Sequence, residues 1–270
     1  MLHNTSLDEP GFAALAEFRS MTSRSLPKSS SVDFPRPLVT VDVVILTLGP
    51  CGLQVLLIQR PGNADEPFPN AWALPGGFVD VARDADLLAC ALRKLREKTG
   101  VNSTYLEQVG SWGSGRRDPR GWSTTCVYFA LLPHAALKID KGGNAAEVRW
   151  FDVGPDGEAL AAGTLAFDHG ALLAATLQRL QSKVEYTSLP AFLLTEPFTL
   201  PQLQQAYELV LGRRLDRSAF RRRALAMEGF LREAGVMQTG APRAPMGYVL
   251  ASREQPMVFP RTFEPRYERD

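Results

Sequence analysis

The sequence predicts an α/β domain with a mixed sheet and helices on its faces, followed by a small winged helix-turn-helix. Three observations carry this. β-branched runs alternate with amphipathic segments from Val39 to about Tyr186; the texture then changes to a Pro-containing connector; and beyond it two short helical segments precede a Gly/Pro-rich hairpin. The expected divisions are an N-terminal arm over 1–37, the α/β domain over 38–185, a linker over 186–195, the winged helix over 196–251 and a tail over 252–270.

At 270 residues the chain is long enough for a sizeable core. A formal charge of +1, from 30 Lys and Arg against 29 Asp and Glu, names no partner, so any electrostatic message must be local. Cys51, Cys90 and Cys126 are odd in number and lack CxxC spacing, which points to reduced thiols and a cytoplasmic protein. No basic leader precedes an apolar run, and no stretch reaches the ~20 apolar residues of a membrane span.

Taken in order, the arm carries a short amphipathic piece, GFAALAEFRSM, and Ser- and Pro-rich SRSLPKSSSVDFPRP. VTVDVVILTL and LQVLLIQR, separated by GPCG, read as a hairpin of two strands. ADLLACALRKLREKTG is a helix with an apolar stripe at Leu88, Ala91, Leu92 and Leu95 and Gly100 as its C-cap. TYLEQVGSWG, TTCVYFALL and EVRWFDV are further strands, and HGALLAATLQRLQSKV is a second helix.

After the connector TSLPAFLLTEPF, TLPQLQQAYELVLG and LDRSAFRRRALAME read as two helices joined by a short turn. GVMQTGAPRAPMGYVL reads as two strands around a loop, and the Arg- and Pro-rich tail from Ala251 as loosely ordered. Arg213, Arg214, Arg217, Arg221, Arg222 and Arg223 cluster around the second helix against the single Asp216, with Arg243 in the wing. Helical spacing places Arg217 and Arg221 on one face, with Phe220, Leu225 and Met227 free to turn inward. A charge run is usually a solvated face; on the second helix of a helix-turn-helix it suits phosphate and guanine contacts in double-stranded DNA.

The stretch ALPGGFVD followed by RKLREKTGV resembles the Nudix box, Gx5Ex7REUxEExGU with U aliphatic. In that motif acids spaced three and four residues apart share a helix face and hold Mg2+ against a diphosphate. Here the three positions are Lys94, Glu97 and Lys98. Counting from Gly77 to Arg93 gives two residues more than the motif, and the acids upstream are Asp80, Asp84 and Asp86, with no glutamate among them. Two ammonium groups repel the cation such a face would hold, so no catalytic metal and no catalytic residue are expected. The lysines either neutralise a diphosphate directly or simply solvate the helix.

With YLEQVGSWG, RRDPRGWSTTCVYFALL, LAFDH and EPFTLPQLQQAYELVLG followed by SAFRRR, the chain from about Val39 to Leu250 resembles the Nudix-related transcriptional regulators of NAD metabolism. The resemblance implies a Nudix-like α/β/α sandwich before the winged helix. It also implies a homodimeric repressor of NAD biosynthesis or salvage genes, released from operator DNA by ADP-ribose or a related nucleotide, with no cofactor required. The alternative is an active Mg2+-dependent ADP-ribose pyrophosphatase, with Glu97 and one upstream aspartate holding a metal. By motif, the ligand-binding candidates beside Lys94, Glu97 and Lys98 are Arg60, the loop residues Arg117, Asp118 and Arg120, and the pair Asp168 and His169. In the alternative Asp168 is an N-cap with His169 packing, Arg117 to Arg120 are a turn held by ion pairs and Arg60 is a solvated strand end; Trp72 either stacks on a base or takes a core or rim role.

Overall fold

Strand β1 (Leu38–Leu48) is the centre of the sheet, and its sequence explains why: residues on both of its faces are apolar, so both must be covered. The computed structural model describes residues 35–100, 105–134, 146–237 and 244–260; GFAALAEFRSM lies outside them. β2 (Leu53–Gln59) returns antiparallel from β1 in the register Leu46↔Val55, closed by the Gly49 N–H to the Gly52 carbonyl at 2.8 Å. β3 (Trp72–Ala73) and β4 (Gly76–Phe78) pair with β2 and β1 respectively. β5 (Tyr105–Ser114) and β6 (Ser123–Leu131) form an antiparallel pair, and β6 lies parallel to β1. β7 (Glu147–Asp152) pairs with β2, which completes a mixed sheet of seven strands.

Helix α1 (Leu87–Thr99) covers one face and α2 (His169–Val184) contributes to the other. Period-two alternation decides the division. Val41, Val43 and Ile45 of β1 and Cys126, Tyr128 and Ala130 of β6 meet Cys90, Ala91 and Leu95 of α1. Val44, Leu46, Val127, Phe129 and Leu131 turn the other way and join Leu172, Leu173, Leu177 and Leu180 of α2. The α/β/α sandwich expected from the sequence is therefore present. In α1 the expected stripe holds at Ala91 and Leu95, which are buried with Cys90 and Thr99, but Leu88 is 45% exposed and, with Leu92, lines a shallow hollow shared with residues 254–256. Asp86 caps the helix by accepting from the Ala89 N–H at 2.7 Å, and Gly100 ends it at φ +68°.

The C-terminal part is a winged helix. α3 (Leu200–Leu211) starts in a reciprocal capping box between Thr199 and Gln202 and stops at Gly212, φ +67°. α4 (Arg217–Ala226) is capped by Asp216 through the Ala219 N–H. Phe220 and Ala224 turn inward, Phe220 edge-on to Tyr207 at 5.3 Å, whereas Leu225 is 45% exposed, against expectation, because Ala224 takes the position one turn on from Phe220. β8 (Leu231–Val236) begins four residues before the expected Gly235, anchored by buried Phe230, and pairs with β9 (Met246–Leu250). Phe198 adds a further rung, exchanging backbone hydrogen bonds of 2.9 and 2.7 Å with Tyr248.

Residues 186–195, which the sequence offers as a linker, are packed tightly. Leu189–Leu193 form a 3-10 turn that is buried throughout and joins a core continuous from the sheet to Tyr207, Phe220 and Phe230. Burying one such Leu or Phe side chain contributes about 1.5–3 kcal/mol. The tail is not loosely ordered as far as residue 260: Phe259 is buried against Phe230, and its N–H donates to the Tyr186 carbonyl at 2.7 Å. Among the described residues no helix is long and apolar enough to cross a membrane, and all three cysteines are free.

Candidate functional site

Two hollows at one end of the sheet share Ile58, Arg60, Gly76, Gly77, Phe78 and Arg120 and so form one cleft. The outer part, about 950 Å³, runs along α1 past Lys94, Glu97 and Lys98. The inner part, about 80 Å³, ends on Asp42, Arg117, Asp118 and His169. Eight of the nine expected ligand residues thus converge on one cleft, though 109 residues of chain separate Arg60 from His169 (169 − 60). The ninth, Asp168, lies behind the wall, paired with Arg117.

The inner wall is a buried ionic network. Arg117 donates from Nε and Nη2 to the two carboxylate oxygens of Asp168 at 3.0 and 2.9 Å, and its Nη2 lies 3.6 Å from Asp42 Oδ2. Asp42 also accepts from the Thr125 hydroxyl at 2.7 Å. Such a fork on a carboxylate fixes both partners in one plane. Asp168 occupies the N-cap position of α2 but makes no capping bond, because its carboxylate is spent on Arg117. His169 Nδ1 accepts from the Leu74 N–H at 2.9 Å, which leaves the other ring nitrogen 3.7 Å from Asp42 Oδ1. Burial pushes the His169 pKa down, against the nearby carboxylates of Asp42 and Asp168. Gly76 is required here, since a Cβ on it would lie 2.0 Å from Asp42 Oδ1.

The rim is cationic and aromatic. Arg60 donates from Nε to the Pro67 carbonyl at 2.8 Å and from Nη2 to Glu66 at 2.9 Å, and lies 4.9 Å from the centre of the Phe167 ring. Desolvation is the largest influence on its pKa and lowers it. Arg120 forks onto Asp118 at 3.0 and 2.8 Å, so these two do form an ion pair within the turn. The same guanidinium still faces the Phe78 ring at 5.0 Å and lines both parts of the cleft. Trp72 does not line the cleft: it packs edge-on against buried Phe151 at 4.7 Å, the core alternative.

On α1, Arg93 forks onto Asp84 at 2.7 and 2.5 Å, and this hydrogen-bonded pair holds the Asp84 carboxyl well below the usual range. Ala85 stands where the Ex7R spacing puts an acid, and Asp84, one residue earlier, supplies the carboxylate instead. Glu97, the motif acid that remains, pairs with Arg93 at 3.3 Å and faces Arg83 at 3.8 Å. Lys94 reaches β4, where a Cβ on Gly77 would lie 3.0 Å from its Nζ. Lys98 lines the same wall one turn further on.

The second candidate surface is the arginine cluster, and the structure divides it. Arg217, Arg221 and Arg222 are exposed on α4, and Arg223 is half-buried. Arg213 turns away and pairs with Glu185, just past α2, at 2.9 Å, while Arg214 pairs with Glu208 at 2.9 Å. Arg243 lies outside the described residues.

Sequence reasoning missed Asp42, Glu66, Phe78 and Phe167 in or beside the cleft, and exposed Arg232 on β8. Asp42 sits in an apolar strand with nothing local to mark it. Phe167 reaches the cleft from a backbone at φ +55°, a conformation that no residue pattern announces.

Comparison with known proteins matches residues 37–162 to the NUDIX domain family and residues 190–250 to the NrtR DNA-binding winged helix domain family. An ADPR-responsive transcriptional repressor of Acinetobacter baylyi is 43% identical over 239 residues, spanning 88% of this chain and 92% of that protein. The crystal structure of Shewanella oneidensis NrtR is 38% identical, covering 83% of this chain and 99% of the other at a TM-score of 0.72. Its complex with a 27mer DNA, also 38% identical, covers 84% and 99% at 0.71.

Proposed function

The chain belongs to the NrtR family of Nudix-fused winged-helix transcriptional regulators, and on that premise we propose that it is a repressor released from operator DNA by ADP-ribose. The observation that carries the ligand half is the exchange of charge on the cleft face of α1. Lys94 and Lys98 stand where the fold's enzymes place acids, opposite Arg60 and Arg120, so the cleft offers cations to a diphosphate.

The residues present do not fit the divalent cation of a Nudix hydrolase. Mg2+ requires converging oxygen ligands, and Glu97 is engaged with Arg93 beside two ammonium groups. Among the described residues no three His, Cys, Asp or Glu side chains converge on a point. The reading is therefore of a receptor and not a catalyst: Lys94, Lys98, Arg60 and Arg120 neutralise the diphosphate, while Phe78 and Phe167 flank it with flat apolar surface.

The DNA half rests on α4, whose Arg217, Arg221 and Arg222 project to solvent beside a two-stranded wing. The protein acts in this reading as a cytoplasmic homodimer on genes of NAD biosynthesis or salvage. Ligand binding shifts the population away from the arrangement of two winged helices that an operator accepts.

The test uses duplexes that the full-length protein selects from a randomised library. Their affinity is measured with and without saturating ADP-ribose, in the presence and absence of Mg2+, and the same samples are analysed for AMP. The expected outcome is a roughly 5–150-fold loss of DNA affinity without Mg2+ and without AMP. Unchanged affinity at saturating ligand overturns the repressor reading, and Mg2+-dependent AMP release installs the hydrolase.

A further inference from the structure

The chain continues past the winged helix, and its last described segment, 253–259, does not trail away but lies along the connector between the two domains. Arg253 pairs with Glu196 at 3.0 Å and donates to the Leu194 carbonyl at 2.9 Å. Met257 and Ser188 exchange two bonds: the Met257 N–H donates to Ser188 Oγ at 2.8 Å and the Ser188 N–H to the Met257 carbonyl at 3.0 Å. Val258 bridges Thr187, and Phe259 seats on Phe230.

The opposite side of the connector is held as well. The Tyr207 hydroxyl donates to the Thr187 carbonyl at 2.8 Å, and Glu185 pairs with Arg213. The connector is thus fastened at Tyr186, Thr187, Ser188, Leu194 and Glu196, and a hinge rotation there would break several of these bonds at once. The described residues from Pro37 onward form one compact unit. One helix then spans this distance: α2 begins at His169 on the cleft and ends at Val184, next to Glu185 beside the winged helix, about 24 Å along at 1.5 Å per residue.

We propose that residues 253–259 are a positioning segment for the ligand response: by clamping the connector they make a shift of α2 at the cleft move the winged helix with it. Without the clamp, the connector absorbs the shift and the two binding events become independent. This rests on the ADP-ribose-responsive reading above. The segment touches neither the cleft lysines nor the exposed face of α4, so it contributes to coupling and not to either affinity.

The experiment uses two full-length variants, Phe259→Ala and the double variant Arg253→Ala with Ser188→Ala, which removes two anchors without opening a core cavity. Three quantities are read: ADP-ribose affinity, affinity for the selected duplex, and the ratio of duplex affinities without and with saturating ADP-ribose. Both single affinities should stay within about threefold of the unaltered protein while the ratio falls toward one. A ratio unchanged in both variants overturns the proposal.

Scanning calorimetry separates this from failure of the functional reading. If the unaltered protein shows no ligand effect on DNA, the receptor reading fails, and the clamp is judged on unfolding alone. It expects one transition for the unaltered protein and two for the variants; a single transition in all three overturns it.

Discussion

Arg117 and Asp168, 51 residues apart in the chain, hold one another through two hydrogen bonds and so tie the loop before β6 to the first turn of α2. The pair shapes the inner cleft without offering a free charge to a ligand. Removing Arg117 leaves both Asp42 and Asp168 facing an uncompensated site. Arg117→Ala is expected to cost about 3 kcal/mol in urea unfolding, and Asp168→Asn, which keeps one acceptor, about 1–2 kcal/mol. A neutral Arg117→Ala would mean that the network is not formed in solution.

The cleft lysines should act on the charged part of a ligand alone. Lys94→Ala combined with Lys98→Ala is expected to weaken ADP-ribose about tenfold or more, since a charge-assisted hydrogen bond contributes roughly 1.5–3 kcal/mol. Adenosine, which lacks the diphosphate, should bind the variant and the unaltered protein alike. Calorimetric titration of both ligands decides it, and an equal loss for adenosine would point to a collapsed cleft.

Burial lowers the His169 pKa below its ordinary 6.5. The folded chain therefore resists a proton that the unfolded chain accepts. Stability is free of this effect above pH 6.5 and falls below it by about 1.4 kcal/mol per pH unit, until the pH reaches the folded-state value. His169→Asn retains an acceptor for the Leu74 N–H and should flatten the slope just below pH 6.5. Denaturant titrations across that window are the check, and parallel slopes for the two proteins would exclude His169 as the titrating group.

On the DNA side, Arg217→Ala and Arg221→Ala should each weaken binding to every duplex and reduce the salt slope by about one if the lost contact is to phosphate. A variant that relaxes the sequence preference instead identifies a base contact. Arg213→Ala is expected to leave the salt slope unchanged, because Arg213 faces Glu185 and not the solvent side of α4. Anisotropy titrations from about 50 to 200 mM salt distinguish the three.

The sequence by itself determined whatever is written in short-range pattern. β-branched runs placed β1, β2 and β6, apolar spacing and terminal glycines bounded the helices, and Lys94 and Lys98 stand where the Nudix motif has acids. An arginine cluster beside a hairpin marked the winged helix. Tertiary structure alone decided what depends on residues far apart in the chain. It brought Asp42, Arg117 and Asp168 into one buried network, and it let Asp84 serve Arg93 from a position one residue off the motif. It drew Arg213 out of the apparent DNA-binding cluster, and it turned the connector and the tail as far as residue 260 into a packed junction. The physical reason is that periodicity reports which face of an element is apolar, whereas the partner of a buried charge or amide is set by whichever group the fold carries within hydrogen-bond reach.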